Sequence, residues 1–467
     1  MFAGLHSVSG LNSAYWRFDS RVEHQVAGRP QDGDKLNPPT NCAPMRLSPI
    51  GRVAILIACA LAVAFAVPPA ARAQQRQSTW GQILIADGPS VDLYDPASNR
   101  FAPKPATPRM KERTRATATV LVTGPNAGKV LVAGGDNGNH VPRASTELYD
   151  PATNTVVNGP AMKIPRSGHT ATAIFSGPNA GKILIAGGMS TGHDDPSSTE
   201  LYDPPSNTFS PGPAMGTPCA LCTATVIASG KNAGKILIAA DYDPHGVPGS
   251  TELYDPAANA FGPGPIMHPR GIAFTATVIP SGKNAGKILI AEVGQFDFDK
   301  HGQNQAWTEL YDPAADKFVR GPTMKSLRSG HTATAIASGP NAGKILIAGG
   351  ELRSNDETGR DVSLASTELY DPETNTIAPG PAMNTRRFAH TATAILSGKN
   401  AGKILIAGGM NEDVDKNGGG VAISVSSTEL YDPATNSFAP GPKMNWDRLD
   451  AVAVQLPPAP PAPVRPH

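Results

Sequence analysis

Two cysteines, three histidines and a run of arginines are the residues whose types and spacing could do chemistry in this chain. Cys219 and Cys222 stand as Cys-x-x-Cys, a spacing that serves disulfides, thiol exchange and one half of a zinc site. One such pair falls short of the four ligands of a structural zinc. Thiol exchange wants a thiolate at a helix N-terminus, and the flanking residues read as strand and turn. Cys219–Cys222 is therefore read as a candidate disulfide with a structural or incidental role. His169, His331 and His390 recur at one position of a repeat, where Ala116, Cys222, Phe274 and Ala451 fill the other copies. A position that accepts Ala and Phe suits packing better than metal ligation, although equivalent positions in a ring can face a common axis. Gly188-Met-Ser190-Thr-Gly192 matches the nucleophile-elbow pattern, but a polar loop and a strand follow where a helix is required. Gly128-Lys129 and its copies are followed by Val or Ile, so no phosphate-binding Gly-Lys-Ser/Thr loop exists. Asp413-Val-Asp415-Lys-Asn-Gly418 matches the opening of a calcium loop, but its twelfth position is Ser424, where a bidentate Glu belongs. No catalytic, cofactor or metal residue is assigned, and calcium is a partial fit only.

The arginines repeat as Arg113, Arg166, Arg328, Arg387 and Arg448, with Arg270 one residue out of register. They fall in the connection from the last strand of one unit to the first of the next. Two readings follow. Several guanidiniums on one rim would form a recognition surface for carboxylates and other acceptors. Alternatively, they pair with Glu147, Glu200, Glu252, Glu309, Glu368 and Glu429, which recur as faithfully, and parallel repetition is what structural pairing produces. The same rim carries the loops that vary most: Asp136 to His140, His193 to Asp195, Asp241 to His245, the segment with Asp297, Asp299 and His301, and the one with Asp413 and Asp415. Variable loops on a rigid scaffold are where binding usually sits. Arg113, Arg166, Arg270, Arg328, Arg387 and Arg448, with Asp297, Asp299, His301, Asp413 and Asp415, are therefore carried forward as the expected binding face.

What must position these residues is a repeat. Leu-Tyr-Asp-Pro occurs seven times, with tyrosines at 94, 149, 202, 254, 311, 370 and 431. A spacing of 52 to 61 residues marks one supersecondary unit copied along the chain. In one copy, His169-Thr-Ala-Thr-Ala-Ile174 alternates β-branched and small residues. Gly177-Pro-Asn-Ala-Gly181 makes a turn. Lys182-Ile-Leu-Ile-Ala186 is an apolar run suited to a strand buried on both faces. Gly187-Gly188 closes it, and a loop leads to Thr199-Glu-Leu-Tyr202. Asp203-Pro-Pro-Ser-Asn207 turns the chain into a short strand at Thr208-Phe209. Four short strands punctuated this way predict a four-stranded antiparallel sheet. Such sheets must stack, and a β-propeller stacks them radially. The repeat region opens at Gln82-Ile-Leu-Ile-Ala86, a second strand, and closes at 448–456, a first strand. Six whole units and these remnants predict an all-β, seven-bladed propeller, sealed by the C-terminal strand joining the N-terminal blade. Sealing removes an edge that would invite aggregation.

The pattern Arg166, His169, Gly187-Gly188, Glu200-Leu-Tyr202 and Phe209 resembles the kelch repeat, over residues 80–456. It departs in the fourth strand, where Phe101, Val156, Phe209, Phe261, Phe318, Ile377 and Phe438 replace the usual Trp. It also departs at Ala240-Asp241, Glu292-Val293 and Asp87-Gly88, where the glycine pair is lost or halved. The resemblance implies a binding or interaction protein. It also admits a galactose-oxidase-like copper enzyme, since kelch propellers form the central domain of such oxidases. Those enzymes use Tyr and His ligands, a Tyr-Cys crosslink and a further domain, which is not expected beyond the closing strand. Tyrosines present in all seven units suit packing better than a unique radical site.

The chain has 467 residues, a net charge of +1 and 17% charged residues, so no broad basic surface speaks for nucleic acid. Met45-Arg46 and Arg52 precede an apolar stretch, 53–67, and Ala71-Arg72-Ala73 supplies small residues at a cleavage site. Residues 45–73 thus read as a secretory signal. At 15 residues the stretch is short of the ~20 that span a membrane, so cleavage is expected over anchoring, with no membrane span in the mature protein. Residues 1–44 are expected to be untranslated, with the true start at Met45, or a disordered extension. Cys42 and Cys59 would then be absent from the mature chain. Residues 457–467 read as a Pro-rich tail. The functional expectation is a secreted or periplasmic, non-enzymatic protein that binds a protein or glycan. The copper oxidase and a cell-envelope scaffold are the alternatives.

Overall fold

The apolar run of each unit, such as Ile183–Ala186, is only four residues long and is buried along its whole length. Its limits are local. The glycines that follow, Gly187 and Gly188, have φ of 67° and 94°. A Cβ on Gly187 would lie 2.3 Å from the Cys219 carbonyl oxygen, so the chain must turn there on a residue without a side chain. Where Glu292-Val293 replaces the pair, the strand does not stop: Ile288–Phe298 runs for 11 residues. The third strand ends in Asp-Pro, and the Asp Oδ1 accepts the N–H two residues on, as in Ala97 to Asp95 at 2.9 Å. The Asn that closes this turn is left-handed in six blades, Asn207 at 54° for example, and Asp316 takes that role in blade 5 at 53°.

The computed structural model describes residues 79–104, 107–137, 140–190, 197–239, 249–267, 271–298, 304–352, 362–414 and 420–459. They form seven four-stranded antiparallel blades, and no α-helix occurs among them. Blade 1 orders Arg100–Phe101, Val91–Asp95, Ile83–Ala86 and Val452–Gln455. Blade 2 runs Thr117–Val120, Val130–Ala133, Thr146–Asp150, Thr155–Asn158, and blades 3 to 7 repeat that order. Blade 5 adds a short strand, Asn304–Gln305, against its long second strand. The seven first strands neighbour one another round a complete circle.

The core lies between blades. Seven apolar clusters separate seven pairs of sheets. The one between blades 3 and 4, for instance, joins Leu184, Ala186 and Leu201 to Ile236, Ile238 and Tyr254. Burying such side chains contributes roughly 1.5–3 kcal/mol each, and every blade needs a neighbour on both faces to obtain it. In each blade the third-strand Tyr pairs with the fourth-strand apolar residue, and five of these are Tyr–Phe pairs with ring centroids 5.0–5.5 Å apart. Phe thus fills the place expected of Trp.

Closure is as the sequence predicts. Val452, Ala453, Val454 and Gln455 pair with Ala86, Ile85, Leu84 and Ile83. Gln455 Nε2 adds a bond to the Gly81 carbonyl at 2.6 Å. An ionic cluster spans the same seam. Arg448 donates from Nε and Nη2 to Asp92 Oδ2, at 2.9 and 2.7 Å, and from Nη1 to Asp87. Asp87 also accepts the Leu449 N–H at 2.9 Å. Burial pushes the Asp87 carboxyl up even beside Arg448. Burial lowers the Arg448 guanidinium, but Asp87 and Asp92 outweigh it and raise it. The half-lost glycine pair at Asp87-Gly88 is thus an acidic ligand for the closing strand. Arg448→Met leaves two buried carboxylates without their cation. It is expected to lower unfolding stability by about 3–5 kcal/mol, measured by chemical denaturation.

Candidate functional site

The ring has two rims of different construction. One carries the turns between strands one and two and between strands three and four, and there the two motifs of neighbouring blades interlock. Each Tyr hydroxyl donates within its own turn, as in Tyr94 to Asn99 Oδ1 at 2.9 Å. Each also meets the preceding blade. Asn232, Asn284, Asn341 and Asn400 donate through Nδ2 to Tyr311, Tyr370, Tyr431 and Tyr94, at 3.1, 2.9, 3.4 and 2.9 Å. Asn126 and Asn179 bond Tyr202 and Tyr254 in the same way. At the seam, where blade 1 has no such turn, Thr79 Oγ1 lies 2.5 Å from Tyr149 OH. All seven phenols are fully buried. Burial pushes every one of them up, Tyr311 to about 12. They are structural hydrogen-bond centres on one continuous circle.

The other rim carries the connections between strands two and three and between blades. Here the arginines correct one of the two sequence readings. Arg113, Arg166, Arg328, Arg387 and Arg448 are at most 2% exposed, so they present nothing to a ligand. Four of them form one clasp. Arg328 donates from Nη1 to the Gly349 carbonyl at 2.6 Å and the Ser366 carbonyl at 2.9 Å. From Nη2 it reaches Ser366 Oγ at 3.2 Å and Glu368 at 2.9 Å. Arg113, Arg166 and Arg387 repeat this on Gly134, Gly187 and Gly408 and on Glu147, Glu200 and Glu429. The same glutamates accept N–H groups of the chain entering the blade, such as Lys325 at 2.7 Å and Ser326 at 3.1 Å on Glu368. The clasp therefore fixes the inter-blade connection to the third strand.

Of the loop residues expected on this rim, Arg270, Asp299, His301 and Asp415 lie outside the described residues. Asp297 falls in Ile288–Phe298, whose part beyond Ala291 runs past the blade's third strand. Asp413 falls in Met410–Val414, paired with Gly420–Ser424. The partial calcium motif thus joins two strands of a hairpin. A shorter hairpin, Glu351–Leu352 with Val362–Ser363, rises from blade 6 beside it. Ser190 leads to strand Thr199–Asp203, and no elbow helix is found among the described residues. Cys219 and Cys222 are joined in a disulfide, buried in blade 4 at the Arg and His positions.

The three histidines bridge blades. His169, His331 and His390 meet Thr117, Thr275 and Thr332 of the preceding blade through Nε2, at 3.0, 3.2 and 3.0 Å. His331 Nδ1 donates to the Arg328 carbonyl at 2.8 Å, so its Nε2 is the acceptor. Burial, reinforced by the clasp arginines, lowers His169 and His331 to about 3 and His390 well below its ordinary value. Among the described residues no group of three or more His, Cys, Asp or Glu could hold a metal ion.

Sequence reasoning missed one feature of this rim. Two residues after each of the five buried arginines the backbone is left-handed: Arg115, Gly168, Gly330, Ala389 and Asp450, with Leu221 in the cysteine blade. The N–H groups of Arg115, Gly168, Leu221, Ala389 and Asp450 donate to the equivalent carbonyl of the blade before, as in Gly168 to Arg115 at 2.9 Å and Leu221 to Gly168 at 3.0 Å. The peptides make an inner arc of hydrogen bonds from Gly330 in blade 6 round to Leu221 in blade 4. Only Arg115 and Asp450 are charged there. Arg115 pairs with the buried Asp136 at 3.2 Å and donates to His140 Nδ1 at 2.7 Å, while Thr114 and Ser167 also donate to Asp136. Gly168 and Gly330 were the only sequence signal, because the other side chains give no sign of a left-handed backbone.

The kelch motif family matches residues 126–163. Human Kelch-like protein 33 is 32% identical over 149 residues, which is 32% of this chain and 23% of that protein, so the matched stretch spans under a quarter of the relative. A fungal alcohol oxidase of the AA5 family, solved in complex with copper, is 15% identical with a TM-score of 0.49. That match covers 82% of this chain and 87% of the oxidase, and no chemistry is transferred from it.

Two outcomes follow from the buried groups. The unfolded chain takes up protons on these histidines near 6.5, and folded His169 and His331 do so only near about 3. Stability is therefore full above 6.5 and lost as pH falls through that interval. Denaturation at pH 7 and pH 5 should show the loss, and replacing all three histidines by Gln should flatten it. Cys219→Ser with Cys222→Ser should cost about 2 kcal/mol, the value for a short closed loop, read as a shift in denaturation midpoint.

Proposed function

We propose that this chain, a kelch-repeat β-propeller, is an exported interaction module that recognises a protein or glycan through its connection rim. The single observation that carries this reading is where the variation sits. The turns of the opposite rim keep one length in six copies, Gly-x-Asn-Ala-Gly-Lys from 124–129 to 398–403, and are consumed by the Asn–Tyr interlock. The connections on the other rim range from 87–90 in blade 1 to 408–427 in blade 7. Additional hairpins rise there from blades 6 and 7, and a long arm from blade 5. Loops free to differ on a frame that cannot are the arrangement of binding sites in general. With the arginines buried, recognition falls to the loop segments that carry Asp297, Asp299, His301, Asp413 and Asp415. The kelch propeller is consistent with a protein-interaction role. Export is supported by the signal-like segment 45–73 and by a disulfide suited to an oxidising compartment.

Replacing 410–424 by the short connection of blade 2, together with charge reversal at Asp297 and Asp299, should abolish crosslinking to partners in the exported fraction. The melting temperature should stay within a few degrees, as expected for surface changes. Retention of every partner by that variant would remove this reading.

A further inference from the structure

We propose that blade 4 contains a binding site for a guanidinium group supplied from outside the chain. In blades 2, 3, 6 and 7 a guanidinium is enclosed by four acceptors: a glycine carbonyl, a serine carbonyl, the same serine's Oγ and a glutamate. Blade 4 retains Ser250 and Glu252 at the equivalent positions, before and within strand Thr251–Asp255. It has lost the arginine, because position 219 is a cysteine. Cys219 is tied to Cys222 and packs among Ile174, Leu184, Ala186 and Leu201, so it makes no use of those acceptors.

Two side chains register the substitution. Glu252 accepts the Gly216 N–H at 3.0 Å and the Thr217 N–H, as its counterparts do, but no cation pairs with it among the described residues. Ser250 Oγ is buried without a hydrogen-bond partner. The equivalent oxygens of Ser145, Ser198, Ser366 and Ser427 all accept from an arginine, at 3.4, 2.9, 3.2 and 3.1 Å. A buried carboxylate with no cation beside a buried hydroxyl with no partner is an unfavourable pair unless something fills both. Glu252 is 7% exposed, against 1–4% for the other five glutamates, so it is the most accessible of the set. The acceptors suit a planar fork of N–H donors better than a point charge, which selects guanidinium over ammonium. The source is an arginine side chain of a partner or a free guanidinium compound. The site does not depend on which rim meets a partner.

The test is calorimetry on the intact chain with methylguanidinium, methylammonium and N-acetyl-arginine amide at matched ionic strength. Saturable binding of methylguanidinium at one site per chain, without binding of methylammonium, is expected. Binding of the arginine amide as well points to a partner's side chain, and its exclusion to a small free ligand. Glu252→Gln should weaken binding about tenfold, equivalent to ~1.4 kcal/mol. Ser250→Ala, which leaves the Glu252 bonds to Gly216 and Thr217 in place, should also weaken it. Cys219→Arg with Cys222→Ser should fill the site from within and abolish binding. Equal responses to the two probe cations, or full binding in the Ser250→Ala and Cys219→Arg variants, would overturn the proposal.

Discussion

A short sheet whose second strand is apolar on both faces cannot be left with either face in water, and this constraint organises the whole protein. Each run such as Ile183–Ala186 is completely buried, which requires a blade on each side. A row of such blades always has two uncovered ends. A ring has none, and the last free edge, Ile83–Ala86, is covered by Val452–Gln455. The seven apolar clusters between blades are the result, in place of a single central core.

Apolar contact alone would let blades slide, since Ile, Leu and Ala carry no directional preference. Direction comes from three polar sets that recur between blades. The Asn–Tyr interlock sets the turn rim, the left-handed peptides set the inner edge, and the arginine clasps set the connection rim. Each joins groups that burial would otherwise leave unsatisfied. The Thr–His contacts add a fourth set in the three blades that have the histidine. At the seam three elements change identity but keep their role. Thr79 stands for the turn Asn, Asp92 for Glu and Asp87 for the first Gly of the pair. The shorter Asp92 reaches its arginine through both Nε and Nη2, and Asp87 adds a second carboxylate at the point where the two ends of the domain meet. These sets leave one class of segment unconstrained: the connection between strands two and three. That is where the lengths diverge.

The repeat, the blade count, the strand order and the closing partner were legible in the sequence because each rests on local chemistry: Gly-Gly stops a strand, Asp-Pro-x-x-Asn turns it, and a first strand without a second must find one elsewhere. The Arg–Glu partnership was also legible as parallel repetition, but its burial was not. Arg328 on a connection looks like a surface residue by type and position. Only the fold brings Gly349, Ser366 and Glu368 around it from two other segments. The left-handed backbone at Arg115, Leu221, Ala389 and Asp450 is likewise imposed by a neighbour's carbonyl against the preference of those side chains. Residue spacing along the chain thus determined which blades exist. The tertiary ring decided which polar groups face one another, because those partners lie in different blades or come together only when a blade is folded.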